Sequence, residues 1–235
     1  MLDPNLVSGT LATNGLSDQV YNLLQYMDIA SRPRSRGELA ADDFAKEILR
    51  VLGYENRGII LRTRRAIPQP PNMVYSDPTQ PAVATEADVC LFQDSSTILM
   101  VVQGSNIDAD SGDPEPQLIG KAITAFQRNN HIRALLGETP LELMNIPCMI
   151  MAGARPIFYL VRVTKALSDA VMTRQYPYTR TVVEKCVVQS NSRRLNEGME
   201  NPEYRRVALL HFIAFRAFAE THWSSFMVQG PNIAP

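Results

Sequence analysis

Asp88 is the residue of this chain most in need of a chemical explanation. It stands in the stretch 85–92, where Val89, Cys90, Leu91 and Phe92 make the rest of a buried strand. A carboxylate inside an apolar strand needs a hydrogen-bonding partner, a cation or a polar cleft, because burying an unpaired charge is costly. Several residues elsewhere could join it: Glu38 at the start of an amphipathic helix, Asp108 and Asp110 in a loop after the next apolar run, and Gln117 and Lys121 one turn apart on the helix that follows. Carboxylates so placed bind hard divalent cations through oxygen, and an ammonium beside them neutralises phosphate charge. Arg62, Arg64 and Arg65, on an earlier strand, could track a phosphate backbone.

Each candidate also has a plainer reading. Ser35 and Glu38 form an S-x-x-E capping box, and loop acids ahead of a helix N-terminus favour its dipole. Arginines along a strand edge discourage edge-to-edge pairing.

Other chemistries are absent from the text. It contains no HExxH, CxxC pair, P-loop, GxGxxG or GxSxG. His131, His211 and His222 lie far apart and without metal-ligand spacing. The three cysteines, Cys90, Cys148 and Cys186, are an odd number in apolar or strand-like settings, which reads as reduced, buried thiols. With 23 Lys+Arg against 24 Asp+Glu, a net charge of -1 gives no global attraction to nucleic acid or anionic membrane, so any such contact is local. No apolar run approaches the roughly 18 residues of a membrane span, and residues 1–10 lack a signal-peptide pattern. The expectation is an intracellular protein, cytoplasmic or nuclear, with no membrane partner.

These residues must be positioned by elements that the periodicity marks out. Helices are expected over 17–27, 38–52, 114–130, 164–172 and 203–223, from apolar residues at three- and four-residue spacing. Strands are expected over 58–67, 85–92, 97–103, 148–152, 157–163 and 179–188. The Gln93-Asp94-Ser95-Ser96 turn makes a hairpin of the second and third, and Gly153-Ala154-Arg155-Pro156 makes one of the fourth and fifth. The run 98–102 is apolar at every position, as suits a central strand covered on both faces. Asp113 and Pro114 supply an N-cap and first residue for the following helix. The expected class is α/β: a mixed central sheet flanked by helices, with an N-terminal helical extension over 1–30 and one domain over 31–235.

The order helix, three strands, helix, strand resembles the core of the PD-(D/E)XK nuclease-like superfamily, and within it a group of uncharacterised fungal proteins. The text that carries the likeness is Asp42-Asp43-Phe44-Ala45, Leu52-Gly53-Tyr54, Glu86-Ala87-Asp88-Val89-Cys90, Leu99 to Gln103, Asp113 to Ile119, Ala125-Phe126-Gln127 and Gly153 to Tyr159, across about residues 35 to 220. The resemblance implies a restriction-endonuclease-like core in which Asp88 matches the metal-binding strand aspartate and Glu38 a supporting helix acid. It also implies an E-x-K pair on the next strand. There Gly104 stands for the glutamate and Asn106 for the lysine, while Gln103 and Ser105 are expected on the opposite face.

A site with one strand carboxylate is poor for Mg²⁺. The implied protein is therefore a catalytically degenerate nuclease-like domain, without a cofactor, that binds nucleic acid or a protein partner in a cleft lined by Glu38, Asp88, Gln117 and one of Arg62 and Arg64. One alternative is an active Mg²⁺-dependent nuclease, with Asp108 or Asp110 as migrated metal ligands and Lys121 for the missing lysine. Another is an interaction protein with a vestigial cleft, working through its C-terminal helix. Oligomeric state is not readable.

Overall fold

The computed structural model describes residues 3–32, 38–68, 84–94, 97–105, 113–189 and 197–227, and for 38, 65–68 and 84–87 the backbone alone. Among them no helix is long and apolar enough to cross a membrane.

Six strands form one mixed sheet in sequence order: β1 (Ile59–Pro68), β2 (Ala84–Gln93), β3 (Thr97–Ser105), β4 (Leu143–Ala152), β5 (Arg155–Thr164) and β6 (Val183–Val187). All neighbours are antiparallel except β3 and β4, which are parallel. A parallel pair needs a crossover, and helix α4 (Glu115–Leu135) supplies it. β3 is buried at every position, as its unbroken apolar run requires.

Helix α4 and the short α5 (Lys165–Met172) lie on one face of the sheet, where Gln127 of α4 donates to the hydroxyl of Ser168 at 3.0 Å. The other face is covered by α1 (Pro4–Ser8), α2 (Asp18–Ser31), α3 (Glu38–Val51) and α6 (Pro202–Trp223). Val20, Leu23, Leu24 and Met27 of α2 bury in the same core as Phe44 and Ile48 of α3, so the N-terminal helices are part of the packed interior. The buried Arg205 of α6 ties α1 down by donating to the carbonyl of Gly9 at 2.8 Å.

Helix starts follow from their caps. Asp113 accepts the Glu115 N–H at 3.0 Å ahead of α4, and Asn201 accepts from Glu203 and Tyr204 ahead of α6. The expected cap of α3 by Ser35 lies outside the described residues. The first turn of α4 is fastened to β5 and β6 through Glu115, which accepts from the Tyr159 hydroxyl at 3.0 Å and the Lys185 ammonium at 2.6 Å.

Three expectations are corrected. The β4–β5 turn is only Gly153-Ala154, because Arg155 and Pro156 already pair with Ala152 and Met151, and the φ of 59° at Gly153 suits a tight turn. β6 is five residues long where 179–188 was expected, since pairing with β5 begins only at Val183. Cys186 is exposed because it lies on this edge strand, whereas Cys90 and Cys148 are buried.

Candidate functional site

The β2–β3 hairpin carries the site, and its register decides which side chains meet Asp88. Near the turn, Gln93 pairs with Thr97 and Phe92 with Ile98; farther on, Leu91 pairs with Met100 and Val89 with Val102. Leu99 is thus an extra residue, a β-bulge. Side chains alternate along a strand, so one inserted residue exchanges the faces of everything beyond it.

Counted from the turn without a bulge, Val102 and Gly104 fall on the face of Asp88, which is the sequence expectation. With Leu99 bulged, alternation along both strands from the Val89–Val102 pair puts Gln103 on the face of Asp88 and turns Gly104 to the other face. The placement of Gly104 beside Asp88, and of Gln103 and Ser105 away from it, is therefore overturned. Asn106 lies outside the described residues.

Asn129 of α4 holds the bulge. Its amide accepts the Ile98 N–H at 2.8 Å and donates to the Ile98 carbonyl at 2.8 Å, in a buried setting. Backbone groups at an interrupted ladder need such a substitute when water is excluded.

Beyond Val89 and Val102 the β2–β3 ladder stops, and the Asp88 side chain takes its place. One carboxylate oxygen accepts the Gly104 N–H at 2.9 Å and the other accepts from the Lys121 ammonium at 3.2 Å. The two side chains are 17% and 10% exposed, so the pair sits at the mouth of the interior rather than on open surface. Lys121 reaches it because it shares the sheet-facing stripe of α4 with the buried Leu118, Ala122 and Ala125, along which its aliphatic stem can lie. Gln103 is 3% exposed and donates to the Gly104 carbonyl at 2.7 Å. Its side-chain oxygen meets no hydrogen-bond donor among the described residues.

Of the residues singled out from sequence, Asp88 and Lys121 are brought together. Gln117 is exposed, with no hydrogen bond to Asp88. It lies one turn before Lys121 in the first turn of α4, and among the described residues the structure does not bring it to Asp88. Glu38 opens α3, and its side chain, like that of Arg65, lies outside the described residues; so do Asp108 and Asp110 altogether.

Arg62 pairs in register with Cys90 and so lies on the Asp88 face, its guanidinium 5.6 Å from the centre of the Phe92 ring. Arg64 is exposed, stands across from Asp88 in the same register, and has a φ of 46°. Left-handed backbone at a non-glycine residue costs about 1 kcal/mol. Neither arginine makes an ion pair with a described residue. Behind the pair, burial pushes the Cys90 thiol up to about 12, with the Lys121 charge opposing. Burial raises the Cys148 thiol as well.

Chemically, the described donor set does not fit Mg²⁺. It offers one carboxylate with both oxygens engaged, and no group of three His, Cys, Asp or Glu side chains forms among the described residues. Among the described side chains Lys121 offsets Asp88, and Arg62 and Arg64 add positive charge beside the pair. That balance suits an anion better than a divalent cation.

Gln103 and Asn129 were missed by the sequence reading. Gln103 was legible as polar at the end of an apolar strand, but its face depends on the bulge; nothing local marks Asn129. No family model, curated protein or solved structure matches the chain.

Proposed function

We propose that this chain is a restriction-endonuclease-like domain of the PD-(D/E)XK type that has lost metal-dependent cleavage, and that its Asp88 face binds nucleic acid without cutting it. The observation that carries the reading is the saturation of Asp88: Gly104 N–H and Lys121 hold its two oxygens, so the one described carboxylate is spent on structure. The element order α3, β1, β2, β3, α4, β4 and the parallel β3–β4 pair support the core assignment. Arg62 and Arg64 support the anionic ligand, since neither has a carboxylate partner among the described residues and such cations displace counterions from phosphates.

The test is calorimetric titration of Mg²⁺ and Mn²⁺ into metal-free protein, with Asp88→Ala as control, beside cleavage and binding assays on DNA and RNA. The expected result is no Asp88-dependent metal binding and no cleavage, with binding whose salt slope falls by about two in the R62A/R64A variant. Metal binding and cleavage that both vanish in Asp88→Ala would replace this reading with the active nuclease, Lys121 serving as its lysine. Absence of nucleic-acid binding would leave a protein-interaction role.

A further inference from the structure

The segment between α5 and β6 has no part in the Asp88 site and carries a composition the arginines of β1 lack, aromatic rings interleaved with cations: Arg174-Gln175-Tyr176-Pro177-Tyr178-Thr179-Arg180. Tyr176 and Tyr178 are 97% and 107% exposed. Rings of this size ordinarily bury much of their surface. Neither ring packs against another ring among the described residues, so their faces are open.

The display is fixed rather than trailing. Arg174 turns the chain with a φ of 53°. The Gln175 N–H donates to the Ala170 carbonyl at 2.8 Å and the Thr173 hydroxyl to the Asp169 carbonyl at 2.8 Å, which bind the start of the segment to α5. Pro177 stiffens the backbone between the rings and disfavours helical backbone at Tyr176.

Beside the rings lies an open recess of about 780 Å³, lined by Tyr176, Tyr178, Arg162, Arg180, Thr164 and Leu167 among others. Arg162 and Arg180 are exposed and make no ion pair with a described residue. The carboxylate on the wall, Asp169, is taken by Lys165 at 2.5 Å. Among the described residues the recess therefore presents two exposed rings and two cations without an ion-pair partner, over a floor that includes Leu167, Ala170 and Val182.

We propose that this recess binds single-stranded nucleic acid, with bases stacked on Tyr176 and Tyr178 and phosphates held by Arg162 and Arg180. Aromatic faces accept any base, and cations beside them track the backbone. A duplex keeps its base faces covered and could use only the arginines. A protein partner would instead use the apolar floor of Leu167, Ala170 and Val182, and the absence of oligonucleotide binding is the outcome that would point to it. The site lies at the β5–β6 end of the sheet, away from β1, and stands independently of the reading of Asp88.

The test is fluorescence anisotropy of a labelled oligothymidylate and an oligouridylate, each of roughly 20 nucleotides so as to exceed a typical site, against a duplex of the same length. The full chain is expected to bind the single strands more tightly than the duplex. Y176A and Y178A each weaken single-strand binding by about 5- to 150-fold, whereas Y176F and Y178F, which keep the rings, retain it. R162A/R180A lowers the magnitude of the salt slope on single strands by about 1.4. Circular dichroism and thermal melting of the variants report that these surface changes leave the fold intact. Unchanged affinity in Y176A/Y178A, a preference for duplex, or no oligonucleotide binding at all would overturn the proposal. The R62A/R64A variant, read on duplex, reports separately on the Asp88 face.

Discussion

The two antiparallel hairpins of the sheet are built on opposite plans. β4 and β5 pair without interruption from Leu143/Thr164 to Ala152/Arg155 and close in two residues at Gly153. β2 and β3 slip by one residue at Leu99 and stop pairing at Val89/Val102. The first hairpin meets its backbone hydrogen bonds from its own strands. The second borrows side chains: Asn129 for Ile98, Asp88 for Gly104. The polar residues of the candidate site are thus, first of all, replacements for missing ladder bonds. That dual duty engages both oxygens of the Asp88 carboxylate.

This contrast is broken most severely at Asn129. Asn129→Leu strips partners from the N–H and carbonyl of Ile98 together, each costing about 1–3 kcal/mol when buried, so urea unfolding is expected to show a loss of about 4 kcal/mol. A loss below about 1 kcal/mol would mean that the bulge does not depend on the amide.

Asp88→Ala comes next. It orphans the Gly104 N–H and leaves Lys121 uncompensated, and with both groups retaining some solvent access the expected loss is about 2–3 kcal/mol. Adding Lys121→Met should recover part of it, with a coupling of about 1–2 kcal/mol in the double-mutant cycle. Additive losses would show that the ion pair contributes nothing.

The regular hairpin is expected to be cheaper to injure. Gly153→Ala places a Cβ on backbone with φ of 59° and should cost only about 1–2 kcal/mol, because pairing on both sides of the turn stays intact.

The smallest effect at neutral pH lies where the hairpins meet, at Cys90 and Cys148. Native protein should expose a single thiol to a disulfide reagent, that of Cys186, and all three after denaturation. Burial raises the Cys90 thiol from about 9 to about 12, so the folded state holds its proton longer than the unfolded chain does. Stability is then indifferent to Cys90 below about pH 9 and falls as pH rises from 9 toward 12. More than one reactive native thiol would contradict the burial.

The sequence carried the order of elements well, because amphipathic helices and alternating or apolar strands declare themselves by period. Lys121 was legible too, one turn beyond Gln117 on a helix that follows the Asp88 hairpin. The facing of Gln103 and Gly104 was not. A strand buried on both sides has no polar alternation to mark its faces, and 98–102 is apolar throughout, so nothing in the text reveals that Leu99 is an extra residue. The shortness of β6 was hidden for the opposite reason: Thr179, Thr181, Val182 and Val183 favour strand equally, and only the partner strand decides where pairing starts.

The central claim is that the bulge faces Gln103 toward an Asp88 already neutralised, and Mn²⁺ titration of the Q103E/K121Q variant tests it most directly. A second carboxylate beside Asp88, with Lys121→Gln releasing one Asp88 oxygen, should create one-site Mn²⁺ binding in Q103E/K121Q that is absent from the wild type and lost again when Asp88→Ala is added, with G104E/K121Q gaining none. Asp88-dependent Mn²⁺ binding in the wild type would contradict the neutralised site. Binding gained by G104E/K121Q and not by Q103E/K121Q would contradict the register.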